Sequence, residues 1–333
     1  MNTINAAIIG LGVGEQHLIT LKNNKHIKNI KIFDKNLKKS KSLSIKYGVN
    51  FCNKIDEIYN DSSTKIVSIA SYDNYHFEQI LKCLKNDKHV FVEKPAVIND
   101  KEAKKIFNLL KKKKKNFFSS NYILRKSERF IDVKKKIERN YLGKIYYIEA
   151  DYNYGRLNKI INGWRGEIPY YSVNLGGGIH IIDLAKFLTS KKIIEVKSYA
   201  NKIVSKNSKF KFNDLIISIV KFEGGLLGKF TSNFGCVYPH FHKLNIYGTK
   251  KTYENFRENG KFFIERDNNK IILHKKNYKP KNKGLILDEF IDSIQKSKNR
   301  QKLINEVFDP LSVCFAIEKS YKTNKAVKVK YLK

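Results

Sequence analysis

Ala6-Ala7-Ile8-Ile9 is an apolar run too short to be a helix of its own. It passes directly into Gly10-Leu11-Gly12-Val13-Gly14-Glu15 and then into a helical pattern over residues 15–24. A buried strand, a glycine turn and a helix in that order leave few folds open. The first glycine permits a tight turn, and the second lets the backbone approach a pyrophosphate. The free N–H groups of the helix start then face the phosphates. The third glycine of the usual spacing is displaced: Glu15 stands there and Gly14 comes one residue early. The next apolar run, residues 30–33, ends in Asp34, 24 residues after Gly10. An acid there can hold the adenosine ribose hydroxyls and repels a 2′-phosphate, so NAD is expected over NADP, although Lys35 stands beside it.

The alternation continues. Helical patterns cover residues 37–47, 75–86 and 100–114, and buried strands cover 66–70, 90–92 and 117–120. Strands alternating with helices predict a doubly wound parallel sheet, an α/β Rossmann domain over residues 1–121. Beyond that the pattern changes. Strands are expected at 145–154, 195–203, 214–222, 226–233 and 243–247, with turns such as Gly224-Gly225 between them. Helices are expected at 129–140, 179–188, 285–297 and 310–323. This predicts a second α+β domain over residues 122–333 with an open, mostly antiparallel sheet.

A net charge of +35 invites a nucleic-acid reading, but 58 lysines stand against 8 arginines. With 34 Asn and 41 Ile, this is the imprint of A/T-rich codons spread over the whole chain. Nucleic-acid readers favour the arginine fork, so a solvated lysine surface and no specific nucleic-acid partner are expected. No apolar run approaches the ~20 residues of a membrane span. The apolar stretch 6–11 runs into glycines rather than a leader cleavage site. Cys52, Cys83, Cys236 and Cys314 show no CxxC spacing. No metal site and a reducing, cytoplasmic setting are therefore expected.

Glu93-Lys94-Pro95 follows the strand at 90–92, at the sheet edge where open α/β folds bind ligands. A lysine there can polarise a hydroxyl or carbonyl. Together with IIGLGVGEQH, SIASYDNYHFEQILKCLKNDKHVFVEKPAV and GGGIHIIDLAKFL, this turn gives the chain its resemblance to the glucose-fructose oxidoreductase / inositol dehydrogenase / MocA (Gfo/Idh/MocA) family of NAD(P)-dependent oxidoreductases. The resemblance covers essentially the whole chain.

By that resemblance, Gly10, Gly12, Val13, Gly14 and Asp34 fall on the dinucleotide-binding turn and its acid. Ser71 and His76 fall on the turn lining the nicotinamide side, and Glu93 and Lys94 on the family's EKP motif, whose lysine contacts the substrate hydroxyl. His180 matches the proton-transferring histidine and Asp183 a residue close to the substrate. Independently, positions 180 and 183 share one face of a helix beginning near 179. Many members carry an aspartate four residues before this histidine; here the position is Gly176. Asp183 can substitute, the histidine can work without a carboxylate, or Lys94 can carry more of the proton handling. Tyr154, Arg156, Trp164, Arg165, Tyr170 and Tyr171, with Asn121 and Arg125 at the domain junction, are the candidate substrate contacts.

The expected activity is NAD-dependent oxidation or reduction of a secondary alcohol or ketone on a sugar, polyol or nucleotide-sugar. Hydride would pass to nicotinamide C4, with Lys94 and His180 handling the proton. The rivals are a non-catalytic NAD-binding regulatory protein and a sugar-modifying enzyme that uses transient oxidation by bound NAD. The resemblance also implies a homo-oligomer, dimer or tetramer, formed through the open sheet face, and a place in surface-polysaccharide or sugar metabolism.

Overall fold

The computed structural model describes residues 3–266 and 270–333. The chain divides into two compact units. The first comprises Met1–Asn121 with Asn282–Phe308, and the second Tyr122–Lys281 with Asp309–Tyr331.

The first unit holds six parallel strands: β1 (Ile4–Ile9), β2 (Ile27–Phe33), β3 (Asn50–Phe51), β4 (Thr64–Ile69), β5 (His89–Val92) and β6 (Phe118–Ser120). Their order is β3-β2-β1-β4-β5-β6. The direction of winding reverses between β1 and β4, so a crevice opens at their carboxyl ends. The turns after β1, β4 and β5 carry the glycines, Ser71 and Lys94. Ala6, Ala7, Ile8, Ile66, Val67 and Ile69 are fully buried, as a sheet covered on both faces requires.

The division differs from the sequence expectation in one segment. Residues 282–308 follow all but the last of the second unit's strands in the chain, yet they complete the first unit. Phe290 packs on Phe91, Phe308 stacks on Phe118, and Asp288 accepts a hydrogen bond from Asn24. Arg300 donates to the carbonyls of Leu110, Lys113 and Asn116. Aromatic burial and a guanidinium on three helix-end carbonyls hold the segment there, and neither is visible in chain order.

The second unit is built on β7 (Ile145–Asn153), β8 (Ile193–Asn201), β9 (Leu215–Phe222), β10 (Leu227–Asn233), β11 (Phe241–Gly248), β12 (Thr252–Asn255), β13 (Gly260–Phe263), β14 (Ile271–His274) and β15 (Val327–Lys328). They form one sheet in the order β14-β13-β12-β11-β7-β10-β9-β8-β15, in which only β7 and β10 pair in parallel. The helices Glu128–Glu138 and Ile179–Thr189 pack together, and the latter lies against β7. The last long helix runs Arg300–Thr323, with Pro310 inside it rather than at its start. No helix among the described residues is long and apolar enough to cross a membrane.

Candidate active site

In the first unit a cavity of roughly 520 Å³ opens at the switch point, lined by Gly10, Gly12, Asp34, Lys35, Lys39 and Ser71 among others. Its glycines differ in what they do. Gly10 has φ +88°, and a Cβ there would lie 2.6 Å from the backbone of Ala70 and Ser71. Only glycine fits that left-handed turn. A Cβ on Gly12 would meet nothing within 4 Å. The backbone at Gly12 therefore faces open space, as a site for a pyrophosphate against the helix Gly14–Asn23 requires. Gly14 packs against Ile8 and Ala70, and Val13 occupies the N-cap position of the helix, partly exposed.

Asp34 sits at the end of β2 and lines the cavity. Its Oδ2 accepts from Leu11 N–H at 2.7 Å and its Oδ1 from Asn36 N–H at 2.9 Å. The acid thus ties the glycine turn to the strand end. Lys35 lies over the Tyr75 ring, 3.8 Å from its centroid. Ser71 lines the cavity and donates to Gln79. His76, expected on the nicotinamide side, is instead fully buried. Its Nδ1 lies 2.8 Å from the Pro95 carbonyl oxygen and its Nε2 3.1 Å from that of Ser71. It braces the turns after β4 and β5 against each other rather than facing a ligand.

Glu93 is likewise a brace. Its Oε1 lies 3.2 Å from His17 Nε2 and accepts from Asn121 Nδ2 at 2.8 Å. Burial pushes its carboxyl up, but the His17 hydrogen bond and charge, Lys94 and Asn121 together bring it down to about 2. An ionised carboxylate only accepts, which places a proton on His17 Nε2; Nδ1 contacts Ser68 Oγ at 2.8 Å. Asn121, expected at the substrate, therefore orients Glu93, and the half-buried Lys94 projects from a turn anchored by a fully buried histidine. The Lys94–Pro95 peptide is cis. His17 lies one turn into the helix after the glycines. Nothing in its local pattern separates it from a core histidine, so sequence reasoning passed over it.

In the second unit the helix Ile179–Thr189 is preceded by a π-helical turn, Asn174–Gly178. His180 is 8% exposed. Its ring stacks on Tyr152 at 6.1 Å and 15° and meets His242 edge-on at 5.8 Å. His240 stands 5.1 Å from His242 and 5.3 Å from Tyr152. His242 also contacts the Tyr278 hydroxyl through its ring and donates its backbone N–H to the same oxygen at 3.1 Å. Sequence reasoning missed this cluster, although His240 and His242 flank Phe241 at strand spacing and so share a face. A Cβ on Gly177 would lie 2.4 Å from the Tyr152 ring, so the glycine admits the tyrosine that supports His180. A Cβ on Gly176 would fall 2.1 Å from the Tyr171 hydroxyl. Tyr171, whose oxygen accepts from Arg165 Nε at 3.2 Å, fills the space a side chain at 176 would enter.

Asp183 and Arg125 form an ion pair that the sequence did not suggest. Asp183 was expected beside His180 or a substrate, and Arg125 at a substrate. The structure pairs them in two parallel bonds, Nε to Oδ2 at 2.9 Å and Nη2 to Oδ1 at 2.5 Å, with Asp183 fully buried. Arginine's planar fork matches a carboxylate in this way, and both carboxylate oxygens point to it. Burial and the Asp183 charge hold the neighbouring Tyr122 phenol well above its ordinary value. Among the remaining candidates, Tyr154 is buried and stacks on Phe234 at 4.4 Å, with the exposed Arg156 5.7 Å from its ring centroid. Arg165 lies over Trp164 at 4.5 Å, and Tyr170 donates to Glu318. No His/Cys/Asp/Glu cluster able to hold a metal is present among the described residues.

Residues 4–122 match the model of an oxidoreductase family with an NAD-binding Rossmann fold, and residues 130–254 that of the GFO/IDH/MocA C-terminal domain. The chain is 30% identical over 186 residues to the uncharacterized oxidoreductase YhhX of Escherichia coli, a match spanning 54% of this chain and about half (52%) of that protein. It is 24% identical over 252 residues to myo-inositol 2-dehydrogenase of Thermotoga maritima, covering 73% of this chain and 72% of that one. Among solved structures, levoglucosan dehydrogenase in complex with NADH and L-sorbose superposes with a TM-score of 0.86 at 17% identity over both whole chains. Scyllo-inositol dehydrogenase from Lactobacillus casei, with NAD(H) and scyllo-inositol, superposes at 0.80 and 17% identity over 98% of this chain and 99% of that one.

Proposed function

Because the chain belongs to the GFO/IDH/MocA oxidoreductase family, we propose that it is an NAD-dependent dehydrogenase. On this reading it interconverts a secondary alcohol and a ketone on a sugar, polyol or nucleotide-sugar. The observation that carries the reading lies within the first unit. A nucleotide-sized cavity with open space at Gly12 and a lysine next to a largely buried, ionised carboxylate stand at the same carboxyl edge of one sheet. Bound NAD supplies the hydride acceptor.

The residues' parts follow from their chemistry. Lys94 donates a hydrogen bond to the substrate oxygen and stabilises the negative charge that develops as its proton leaves. Glu93, held ionised by His17 and Asn121, keeps the Lys94 turn in place. His180 takes the hydroxyl proton, its ring held flat against Tyr152 and edge-on to His242. Asp183 and Arg125 fix the helix that carries His180 rather than touch substrate.

The test is a panel of inositols, free sugars and nucleotide-sugars with NAD, followed by NADH absorbance. The reading predicts turnover of at least one polyhydroxylated substrate. NAD binding with no turnover across the panel would favour a non-catalytic role.

A further inference from the structure

Beside the His180 cluster lies a second cavity of roughly 710 Å³ that the reaction above does not use. His240 joins the two: it lines the cavity and stands against Tyr152 and His242. The sheet register agrees. Phe241 pairs with Asn153 and Asn233 pairs with Asn153, while the β12–β13 turn follows Asn255, which pairs with Leu244. The turn at 256–259 therefore lies at the end of the sheet where β7 delivers Tyr152 and β11 begins.

The wall of this cavity is rigidly built. Arg129, 1% exposed, spends its guanidinium on the carbonyls of Phe256, Glu258 and Lys276 and on the Asn255 side chain, at 2.6–2.9 Å. Asn255 in turn donates to the His242 carbonyl. A fully buried arginine bracing the turn and the strand end leaves the rim pre-formed, which lowers the ordering cost of binding. Onto this rim converge Arg257, Lys261 and Lys279, against the single carboxylate Glu258. None of the three forms an ion pair with a carboxylate among the described residues. Lysine is common over this surface, but three cations facing one braced concavity concentrate positive potential in a way scattered lysines do not. Tyr238 and Phe256, both partly exposed, add aromatic rings, the Lys261 ammonium lying 4.6 Å from the Phe256 ring centroid.

We propose that this cavity receives the phosphorylated end of the substrate, placing the hydroxyl-bearing ring toward His180. The cations meet phosphate oxygens, the arginine by its two-pronged fork. The aromatic rim suits a nucleoside base, so a nucleotide-linked sugar and a simple sugar phosphate share the chemistry and differ in their use of Tyr238 and Phe256. The proposal rests on the reading of this edge as the substrate side, but its test needs no turnover, so a failure of the dehydrogenase reading shows up separately in the NADH assay.

The experiment is calorimetric titration of the full chain, saturated with NAD so that the cofactor cavity is filled. The probes are inorganic pyrophosphate and uridine diphosphate. Arg257→Glu/Lys279→Glu is compared with the parent and with Lys112→Glu/Lys115→Glu, which removes the same charge from an exposed helix end. Thermal melts confirm that each variant is folded. Saturable binding is expected, weakened about tenfold or more by the cavity pair and less than about twofold by the control pair. Uridine diphosphate binding about tenfold tighter than pyrophosphate identifies a nucleotide-linked substrate, and equal binding a sugar phosphate. No saturable heat with either probe, or equal losses in both variant pairs, overturns the proposal.

Discussion

Replacing Asp183 by Asn separates a structural ion pair from a catalytic carboxylate. In the structure both carboxylate oxygens of Asp183 face the Arg125 fork, the side chains being 0% and 12% exposed. Removing one partner of such a pair leaves the other charge buried and uncompensated, which typically costs about 3–5 kcal/mol. At ~2–4 °C per kcal/mol for a domain of this size, the melting temperature falls by about 6–20 °C. Replacing both partners by apolar residues of similar volume, Arg125→Met with Asp183→Leu, restores most of that loss, because no unpaired charge remains. The assay is thermal unfolding followed by circular dichroism on the parent, both single variants and the double variant, with a pH–rate profile on whatever turnover remains. The profile's acidic limb stays where it is in Asp183→Asn, since the carboxylate serves Arg125. A melt within ~2 °C of the parent, or a downward shift of the acidic limb, would refute the reasoning and return Asp183 to the side of His180.

Gly12→Ala should fold normally and bind NAD at least about tenfold more weakly, because its Cβ enters open space meant for phosphate. Gly10→Ala, forced to φ +88° against the Ala70 backbone, should lose ~1–3 kcal/mol in urea unfolding without NAD. Glu93→Gln should destabilise the protein by about 3 kcal/mol at pH 7 and by only about 1 kcal/mol at pH 3. The Glu93 carboxyl is depressed from 4.5 to about 2, so its contribution is fully present above pH 4.5 and disappears as pH falls through 2. A pH-independent gap in urea titrations would show that the charge is not what stabilises. Asp34→Ala should narrow the preference for NAD over NADP in fluorescence titrations. Unchanged selectivity would leave Asp34 only its bonds to Leu11 and Asn36.

Local chemistry made the first unit readable. The glycine turn, Asp34 and the Glu93-Lys94-Pro95 turn each declare their geometry within a few residues, and the Rossmann strands are continuous apolar runs. The open sheet announced its long strands by alternation, as in β9, but β12 to β15 are two to four residues long, too short for a period to show. Pro310 read as a helix start because proline is at home there. The helix nevertheless runs through it from Arg300, whose three carbonyl partners lie about 190 residues away in sequence. The same limit hid the site's supports. Asp183 finds Arg125 across 58 residues, and Glu93 finds His17 across 76. A histidine's or a carboxylate's identity states which bonds it can make, but only packing decides which partner arrives. Gly176 is the clearest case. Sequence reasoning registered a missing carboxylate, while the structure shows Tyr171 already occupying its place.

The claim that Lys94 stabilises charge on the substrate oxygen is tested most directly by Lys94→Ala, measured for both NAD affinity and turnover on the best substrate of the panel. The account predicts an NAD dissociation constant within about twofold of the parent and a kcat lower by ~10²–10³, the usual loss on removing one such positioned donor. A variant that turns over at the parent's rate, with NAD bound as tightly, would contradict it.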